Sequence, residues 1–491
     1  MQQRITSSPA IVSGALVVIA AAGAVSAAPP IAAGQPVREG QAASPGVGLP
    51  TVRAWIKAAR PKRYPVRTVD SLAGFTTAEP RARNAYGGAE GYPRLDATGF
   101  FRVERLGDRW WLIDPDGNRF LHVAVNSVNR QRGPTFRRVF ATRFRGAEDW
   151  AQSTIELLTS HGFNGTGCWT NDPLLATATP RPTYTPTLRF MSSFGKKLGV
   201  TKQGSGHTSY PDQLIPVFHP DFPAHCREVA RKLRGLRDDP YLVGVFSDNE
   251  LESNKWALDL HLRAAKDSPE RREAERWLRR REASPARAGR ISNDDRRAYV
   301  GHMFDTYYAT VRAAIREVDP NHLYLGSRLH GSATSNRYVL AAAGRHLDVI
   351  ALNVYRVWTP TESVKRWVKW SGKPVIVTEF YAKGADSGMP NLSGAGWTVP
   401  TQADRGRFYQ HFTLGLLESR GCVGWHYFKY ADNDPGDLST DPSNRDSNKG
   451  IVSSGYEPWA ELLTSMKALN TRVYDLADYF DRERGDGGRQ R

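Results

Sequence analysis

The segment Tyr241-Leu-Val-Gly-Val-Phe-Ser-Asp-Asn-Glu250 is an apolar run that ends in a carboxylate, and Pro374-Val-Ile-Val-Thr-Glu379-Phe380 repeats this pattern. Each run has the length of one buried parallel strand. The carboxyl ends of parallel strands lie at the same edge of a sheet, which is where barrel enzymes hold their reactive groups. The two segments therefore predict an α/β fold with two glutamates on one face.

Other strand-like runs alternate with helical stretches along most of the chain. The eight parallel strand candidates are Phe120–Val128, Phe163–Trp169, Thr187–Ser193, Tyr241–Glu250, His322–Leu329, Val349–Tyr355, Val375–Phe380 and Val423–Tyr430. Eight strand–helix pairs predict a (β/α)8 TIM barrel. Phe100–Arg105 and Arg109–Asp114 precede them and predict a short N-terminal β-hairpin extension.

The sequence predicts four parts. Residues 1–28, with Arg4 before an apolar stretch and small residues at 25–28, have the pattern of a secretory signal peptide; an uncleaved membrane anchor is the alternative. Residues 29–98 form a leader and a segment without a clear assignment, 99–475 the hairpin and catalytic barrel, and 476–491 a polar tail. The protein is expected to be secreted or periplasmic, with no membrane association after signal removal.

Composition narrows the possible functions. The 491 residues carry a formal net charge of +17 and three cysteines, an odd number that does not define a disulfide framework. The charge can reflect solvated helix faces or attraction to a polyanion, and an acidic or sulfated polysaccharide is favoured over nucleic acid because no nucleic-acid motif occurs. The glycine-rich stretches lack a P-loop and a dinucleotide fingerprint, and no cofactor or metal is predicted. The acidic loop at 432–441 lacks EF-hand spacing, so a polar substrate loop is favoured over calcium binding.

Two carboxylates on facing strands suit cleavage of a glycosidic bond, in which one donates a proton and the other attacks carbon. Counting strands places Glu250 at the end of the fourth and Glu379 at the end of the seventh. A separation of about 5–5.5 Å between the carboxyl groups would indicate a retaining enzyme. For either residue alone, a solvated carboxylate or an ion-pair partner is the alternative.

Several stretches resemble glycoside hydrolase clan A and, more specifically, the β-agarases of glycoside hydrolase family 50. They are Trp111-Leu-Ile-Asp-Pro-Asp-Gly117, Val125-Asn126, Val245-Phe-Ser-Asp-Asn-Glu250, His322-Leu-Tyr-Leu-Gly-Ser-Arg328, Thr378-Glu-Phe380 and Gly424-Trp-His-Tyr-Phe-Lys-Tyr430. The resemblance implies that Glu250 is the acid/base, that Glu379 is the nucleophile and that Asn249 binds the sugar 2-hydroxyl. The chain differs from that family in having Lys429 where glutamine is common, little room for an N-terminal β-rich module, and a different loop after Glu379.

Other polar and aromatic residues near strand ends are candidates for substrate binding. Tyr355 could hold Glu379 ionised, and Arg328 could fix a carboxylate or a hydroxyl. Stacking on a sugar is predicted for Trp425, Trp169 and Trp358, and hydroxyl contacts are predicted for His426, His330, Asn126 and Asn171. For each of these residues, ordinary packing or capping inside the fold is the alternative.

The sequence thus predicts a secreted, retaining glycoside hydrolase that cleaves a β-linked galactan of the agarose or porphyran type. Its partner would be a polysaccharide or oligosaccharide, with an anionic one as a candidate. A β-galactosidase, a mannanase, a non-catalytic carbohydrate-binding protein and a polyanion-binding surface protein remain alternatives.

Overall fold

The structure is a computed structural model that describes residues 49–76, 79–203, 208–282, 290–437 and 445–487. The predicted signal peptide and residues 29–48 of the predicted leader lie outside the described residues. The described residues all belong to one compact unit, Leu49–Arg491. None of their helices combines the length and apolarity that crossing a bilayer requires.

Short strands occur along the whole described chain. In chain order they are β1 (Thr51–Ala54), β2 (Lys62–Pro65), β3 (Arg102–Leu106), β4 (Arg109–Ile113), β5 (Arg119–Phe120), β6 (His122–Val125), β7 (Gly165–Thr166), β8 (Thr183–Tyr184), β9 (Lys202–Gln203), β10 (Thr208–Ser209), β11 (Gly244–Phe246), β12 (Leu323–Gly326), β13 (Ile350–Asn353), β14 (Val375–Glu379), β15 (Ala382–Gly384), β16 (Trp397–Val399) and β17 (Cys422–Tyr427).

Helices separate most of these strands. They are α1 (Pro134–Arg143), α2 (Ala147–Ser160), α3 (Asp172–Leu175), α4 (Phe190–Lys197), α5 (Phe222–Ala230), α6 (Ala257–Arg263), α7 (Pro269–Glu282), α8 (Asn293–Val318), α9 (Arg337–His346), α10 (Thr361–Ser371), α11 (Gln402–Glu418), α12 (Ala460–Asn470) and α13 (Val473–Gly487). Short 3-10 helices cover Val69–Ser71, Pro211–Gln213, Arg231–Gly235, Gly331–Ser335 and Ala385–Ser387.

Parallel strands form the centre of the fold. One six-stranded sheet has the order β13-β14-β17-β6-β7-β8, and β11 pairs with β12 in a second parallel sheet. Isolated parallel bridges join Tyr184 to Leu242, Thr187 to Phe246 and Leu329 to Leu352. The structure therefore shows an α/β fold built on parallel strands. The hydrogen-bonded ladders between the described strands form two separate sheets and do not close into a continuous ring.

Side-chain alternation along these strands builds two apolar layers. In β13, Ile350 and Leu352 belong to the large cluster that the helices share, whereas Ala351 belongs to a smaller cluster among the strands. Phe101 and Phe120, on either side of β3 and β4, pack into the smaller cluster. Strands buried on both faces explain why the sequence shows continuous apolar runs and not alternation.

The antiparallel hairpin predicted before the first parallel strand is confirmed. β3 pairs with β4 from Arg102 opposite Ile113 to Leu106 opposite Arg109, and β4 continues into β5. A second hairpin, β1–β2, lies in the segment that the sequence left without an assignment. Trp55 pairs with Thr398 of β16, so this segment packs on the region that follows β14.

Two predicted boundaries are wrong. The third parallel strand is at β8 and not at Thr187–Ser193, because residues from Phe190 onward form helix α4. The predicted tail boundary at 475/476 falls inside α13, in which Leu476 and Phe480 are buried. An apolar face on this last helix gives it a place in the core that its many charged residues obscure in the sequence.

Candidate active site

The two glutamates lie where the sequence predicts, at the carboxyl ends of parallel strands. Glu379 is the last residue of β14, and Glu250 follows β11 by four positions. Glu250 has a left-handed backbone with φ of 50°, and its N–H donates to the carbonyl of Ser327 at 3.0 Å. A left-handed non-glycine residue costs free energy, and such residues are concentrated at functional sites.

Glu379 is held by two donors from neighbouring strands. Nη2 of Arg328 lies 2.5 Å from its Oε1, and the hydroxyl of Tyr355 donates to its Oε2. The same Arg328 nitrogen donates to the carbonyl of Thr378 at 3.2 Å. Because both carboxylate oxygens accept charge-assisted or hydroxyl hydrogen bonds, the orientation of Glu379 is fixed before any ligand binds.

Opposing influences set the pKa of Glu379. Burial raises its pKa above the ordinary value for a glutamate, and the nearby Glu250 carboxylate raises it further. The charge of Arg328 and the hydrogen bonds from Arg328 and Tyr355 lower the pKa. The net result is a raised pKa, and the two donors limit how far it rises.

Asn249 and Asn353 connect the two glutamates. Nη1 of Arg328 donates to Oδ1 of Asn249 at 2.7 Å. Nδ2 of Asn353 donates to Oε1 of Glu250 at 2.8 Å and lies 3.3 Å from Oδ1 of Asn249. A continuous set of hydrogen bonds thus runs from Glu250 through the two asparagines and Arg328 to Glu379.

Asn353 is a site residue that the sequence reasoning missed. It ends β13, is buried, and accepts a hydrogen bond from the Thr378 hydroxyl at 2.7 Å. The signal was available: Asn353 is a polar residue at the end of an apolar run, two positions before Tyr355. Carboxyl-terminal strand ends in such folds are where side chains face the ligand.

His330 lies beside Glu250. Its Nδ1 is 3.8 Å from Oε1 of Glu250, and its side chain is 39% exposed, whereas that of Glu250 is 11% exposed. Its ring faces Tyr355 edge-on at 5.7 Å. Its position at the open side of Glu250 is compatible with the predicted hydroxyl contact, which stays a prediction.

Asn126 lies beneath the site. Its Nδ2 donates to the carbonyl of Thr378 at 2.6 Å, and its Oδ1 accepts from the thiol of Cys168 at 3.4 Å. The residue is fully buried. The predicted sugar contact is wrong because Asn126 has no exposed atom and supports the end of β14.

Asn171, the other asparagine predicted to contact a hydroxyl, is exposed at the start of α3.

The predicted stacking of Trp425 on substrate is wrong. Its ring is fully buried and its Nε1 donates to the Tyr409 hydroxyl on α11 at 2.9 Å. Val375 pairs with Cys422 but Val377 pairs with Trp425, so β17 contains one extra residue between these pairs. This bulge turns Trp425 toward the helices, because adding one residue to a strand reverses the side that later residues face.

The same register places His426 among the strands. It is fully buried, and its Nε2 lies 2.9 Å from Nδ1 of His122. Burial lowers the pKa of His426 well below its ordinary value and lowers that of His122 to about 3. The predicted hydroxyl contact is wrong, since both rings are neutral parts of the core.

Trp358 is likewise a packing residue and not a sugar platform. It is 4% exposed, and its Nε1 donates to the carbonyl of Pro65 at 2.7 Å. Its ring lies 4.9 Å from that of Tyr64 on β2. The β1–β2 hairpin covers this tryptophan, and no local sequence pattern indicates that residues 62–65 would do so.

Trp169 is the predicted platform that remains partly exposed. The guanidinium of Arg328 lies 5.6 Å from its ring centroid and that of Arg189 lies 5.0 Å away. Trp169 therefore borders the arginine that holds Glu379. Its role in stacking on a sugar stays a prediction.

The acidic loop and a surface pocket are two further features. Asp434, in the acidic loop, is buried and accepts hydrogen bonds from Thr135 N at 2.7 Å and Gly436 N at 3.0 Å. No group of three potential metal ligands occurs among the described residues. A surface pocket of about 460 Å³ is lined by Leu157 and Tyr456 and includes neither glutamate.

Comparison with solved structures identifies the family. BpGH50 shares 30% of its residues with this chain, and the superposition covers 88% of this chain and 96% of BpGH50 with a TM-score of 0.77. The chain belongs to glycoside hydrolase family 50. A second family 50 structure, the agarase AgWH50C, is 20% identical over 81% of this chain and 67% of its own, with a TM-score of 0.67, and it supports the fold.

Curated relatives of this family 50 chain are also found. Beta-agarase B of Vibrio sp. (strain JT0107) is 24% identical over 84% of the chain and 52% of its own length, and beta-agarase A of the same organism is 24% identical over 80% and 48%. The chain thus spans about half the length of these curated relatives. No protein-family model matches it. The comparisons support family 50, and they do not support the wider assignment to clan A.

Proposed function

We propose that this protein is a retaining, β-agarase-like glycoside hydrolase that cleaves a β-linked galactan of the agarose or porphyran type. The observation that carries the proposal is the pair of glutamates at one strand-end edge, joined by Asn249, Asn353 and Arg328. Family membership and the β-agarase relatives support the same reaction class. The two carboxylates have different environments, because Glu379 accepts from Arg328 and Tyr355 whereas Glu250 accepts from the amide of Asn353. A pair that divides the roles of nucleophile and acid needs such a difference.

In the first step, Glu379 attacks the anomeric carbon. Its oxygen forms a bond to that carbon while the bond to the leaving oxygen breaks, and Glu250 transfers its proton to the leaving oxygen. Arg328 and Tyr355 favour the ionised form of Glu379 and hold its carboxylate in place until the bond forms. Asn249 is placed to bind the sugar 2-hydroxyl, a contact that strengthens as the transition state gains positive charge.

In the second step, Glu250 acts as a base. It removes a proton from a water molecule whose oxygen attacks the anomeric carbon, and Glu379 leaves with its electron pair. Two inversions at the same carbon keep the original configuration. Asn353 orients Glu250 in both steps through its 2.8 Å hydrogen bond.

We further propose that the enzyme is an exported (β/α)8 barrel. The two parallel sheets, joined by isolated bridges from Tyr184 to Leu242 and Leu329 to Leu352, are the arcs of one (β/α)8 barrel. Residues 1–28 are a signal peptide, and the mature enzyme is secreted or periplasmic. Edman sequencing of the exported protein tests the cleavage site.

Activity is tested by incubating the purified protein with four polysaccharides: agarose, porphyran, carrageenan and mannan. The purified protein should release oligosaccharides from agarose or porphyran, and NMR of the first product should show the β anomer before mutarotation. Glu250→Gln and Glu379→Gln should each lower kcat/KM by at least about 100-fold with an unchanged circular dichroism spectrum. Release of products from mannan alone would replace the galactan proposal, and full activity in either variant would end the two-glutamate mechanism.

Chemical rescue separates the two roles. With an aryl glycoside whose leaving group needs no proton, Glu250→Ala should regain turnover on addition of azide and yield a β-glycosyl azide, because azide replaces water without base assistance. If Glu379→Ala regains turnover with azide, its product should be the α-glycosyl azide. The opposite pattern would exchange the roles assigned to the two residues.

A further inference from the structure

An exposed arginine, Arg189, lies at the edge of the candidate active site. The guanidinium of Arg189 lies 5.0 Å from the centroid of the Trp169 ring, and the Arg328 guanidinium lies 5.6 Å from the same ring. Arg189 is exposed, and among the described residues no carboxylate forms an ion pair with it. Trp169 therefore contacts both the arginine that binds Glu379 and an arginine that is available to solvent.

The backbone around Arg189 fixes its position. Arg189 has φ of 65° and ψ of 59°, a left-handed conformation that is unfavourable for a residue with a Cβ. Its neighbours hold it there, since Leu188 N donates to Phe246 O at 2.9 Å and Phe190 N donates to Ser247 O at 3.0 Å. Those acceptors lie just before Glu250, so the turn presents the Arg189 side chain at the same strand-end edge.

The loop after β6 and the helix α1 that follows it add positive charge near Trp169. Residues 126–146 contain six arginines and no acidic residue. Asn129 donates a hydrogen bond to the carbonyl of Trp169, which ties this loop to the edge of the site. Arg130 and Arg132, which follow, are exposed. Neither forms an ion pair with a described residue.

We propose that Arg189, positioned against Trp169, forms a subsite for an anionic substituent of the galactan chain, a sulfate ester. This inference rests on the proposed function and names its substrate class more closely. A guanidinium binds a sulfate oxygen pair through two parallel N–H donors, and the Trp169 ring holds the Arg189 guanidinium at this edge. The Arg130–Arg132 loop raises the local concentration of an anionic polymer without a specific contact.

The test compares one oligosaccharide with and without its sulfate. Porphyran oligosaccharides and the same preparation after chemical desulfation are the two substrates. Wild-type protein should show a higher kcat/KM on the sulfated form. Arg189→Asn should lower the ratio of the two kcat/KM values at least fivefold, mainly through KM, and should leave kcat/KM on the desulfated form within twofold. Asparagine is chosen because it tolerates the left-handed backbone, so the fold is retained.

Two further variants sharpen the result. Arg279→Gln removes one exposed arginine from α7 and controls for net charge, so the ratio should not change. Arg189→Lys keeps the charge without the planar fork, and it should restore only part of the ratio. A ratio that is the same in wild type and Arg189→Asn, or a wild type that prefers the desulfated form, overturns the proposal.

A binding measurement separates this proposal from the proposed function. Calorimetry in the Glu250→Gln background, with and without Arg189→Asn, reports on the subsite without turnover. Hydrolysis of the desulfated oligosaccharide with no effect of Arg189 on binding overturns the subsite and leaves the glycosidase intact. Arg189-dependent binding of the sulfated form without hydrolysis in wild type upholds the subsite and overturns the enzyme. Weaker binding of the sulfated form in 0.5 M salt is expected, and this salt effect should be reduced in Arg189→Asn.

Discussion

Arg328 is the residue on which the candidate site depends most. Its side chain is fully buried and its backbone is left-handed, with φ of 52°. One of its nitrogens binds Asn249 and another binds Glu379, so a single guanidinium sets the distance between a sugar-binding amide and the nucleophile. A lysine has no planar fork and cannot make both contacts.

Tyr355→Phe tests how Glu379 is kept ionised. The Tyr355 hydroxyl lowers the pKa of Glu379, whose burial raises it, so the variant should raise the pKa of Glu379 further. The nucleophile must be ionised, so the acidic limb of the pH profile of kcat/KM should move to higher pH. At the optimum, kcat/KM should fall about 10- to 100-fold, the effect of one hydrogen bond to a charged group. A profile with an unmoved acidic limb would contradict this account.

Asn353→Ala tests the residue that the sequence analysis missed. The variant removes the amide that donates to Glu250 and leaves the Thr378 hydroxyl without its acceptor. We expect kcat/KM to fall at least tenfold and the free energy of unfolding to fall by about 1–3 kcal/mol. Thr378→Val, which removes only the hydroxyl below Asn353, is the matched control and should affect kcat/KM less. Equal losses in both variants would show that Asn353 acts only through the packing of β13 and β14.

At the level of elements, patterns along single strands could be predicted and shifts between strands could not. The run at 375–379 identifies β14 and its terminal Glu379 because every residue in it is buried. The bulge that turns Trp425 toward α11 depends on the pairing of β17 with β14, and that pairing has no local sequence pattern. The third strand was misplaced for a similar reason: β8 is a two-residue strand, too short to show a period.

Trp425→Ala and Trp169→Ala should therefore behave in opposite ways. Trp425 is a buried residue bonded to Tyr409, and its removal should lower the free energy of unfolding by about 3–5 kcal/mol. The surviving folded protein should keep its KM for galactan oligosaccharides. Trp169→Ala should raise KM about tenfold with a small effect on stability, since its ring is only partly buried. Urea denaturation and steady-state kinetics on both variants check the two statements, and a KM effect in Trp425→Ala alone would reverse them.

At the level of the whole molecule, the N-terminal segment is part of the folded unit. Arg67 N donates to Nδ1 of His411 at 3.0 Å, Val69 N donates to Oε1 of Gln410 at 2.9 Å, and Trp358 Nε1 binds the carbonyl of Pro65. These contacts attach residues 65–69 to α11 and to the loop before α10. Sequence reasoning could not assign this segment because its short strands pair with each other and pack on residues more than 290 positions away.

This attachment should make stability depend on pH through His411. Burial, assisted by the charge of Arg67, lowers the pKa of His411 to about 4, whereas an unfolded histidine has a pKa of about 6.5. A base whose pKa is lowered by folding contributes stability that is complete above pH 6.5 and is lost as pH falls toward 4, because the unfolded chain binds the proton first. His411→Gln removes this contribution. The stability of wild type relative to the variant should therefore fall by about 1 kcal/mol per pH unit between about pH 6 and 4.5. Urea denaturation of both proteins at several pH values measures this difference in stability. The contributions of all other titrating groups cancel in it.

Thr359→Val is the control variant. It removes the hydroxyl beside Nε2 of His411 and retains the imidazole, so it should keep the wild-type dependence on pH. A difference between wild type and His411→Gln that is constant across this range would mean that folding leaves the pKa of His411 unchanged, which contradicts the neutral ring that accepts from Arg67 N.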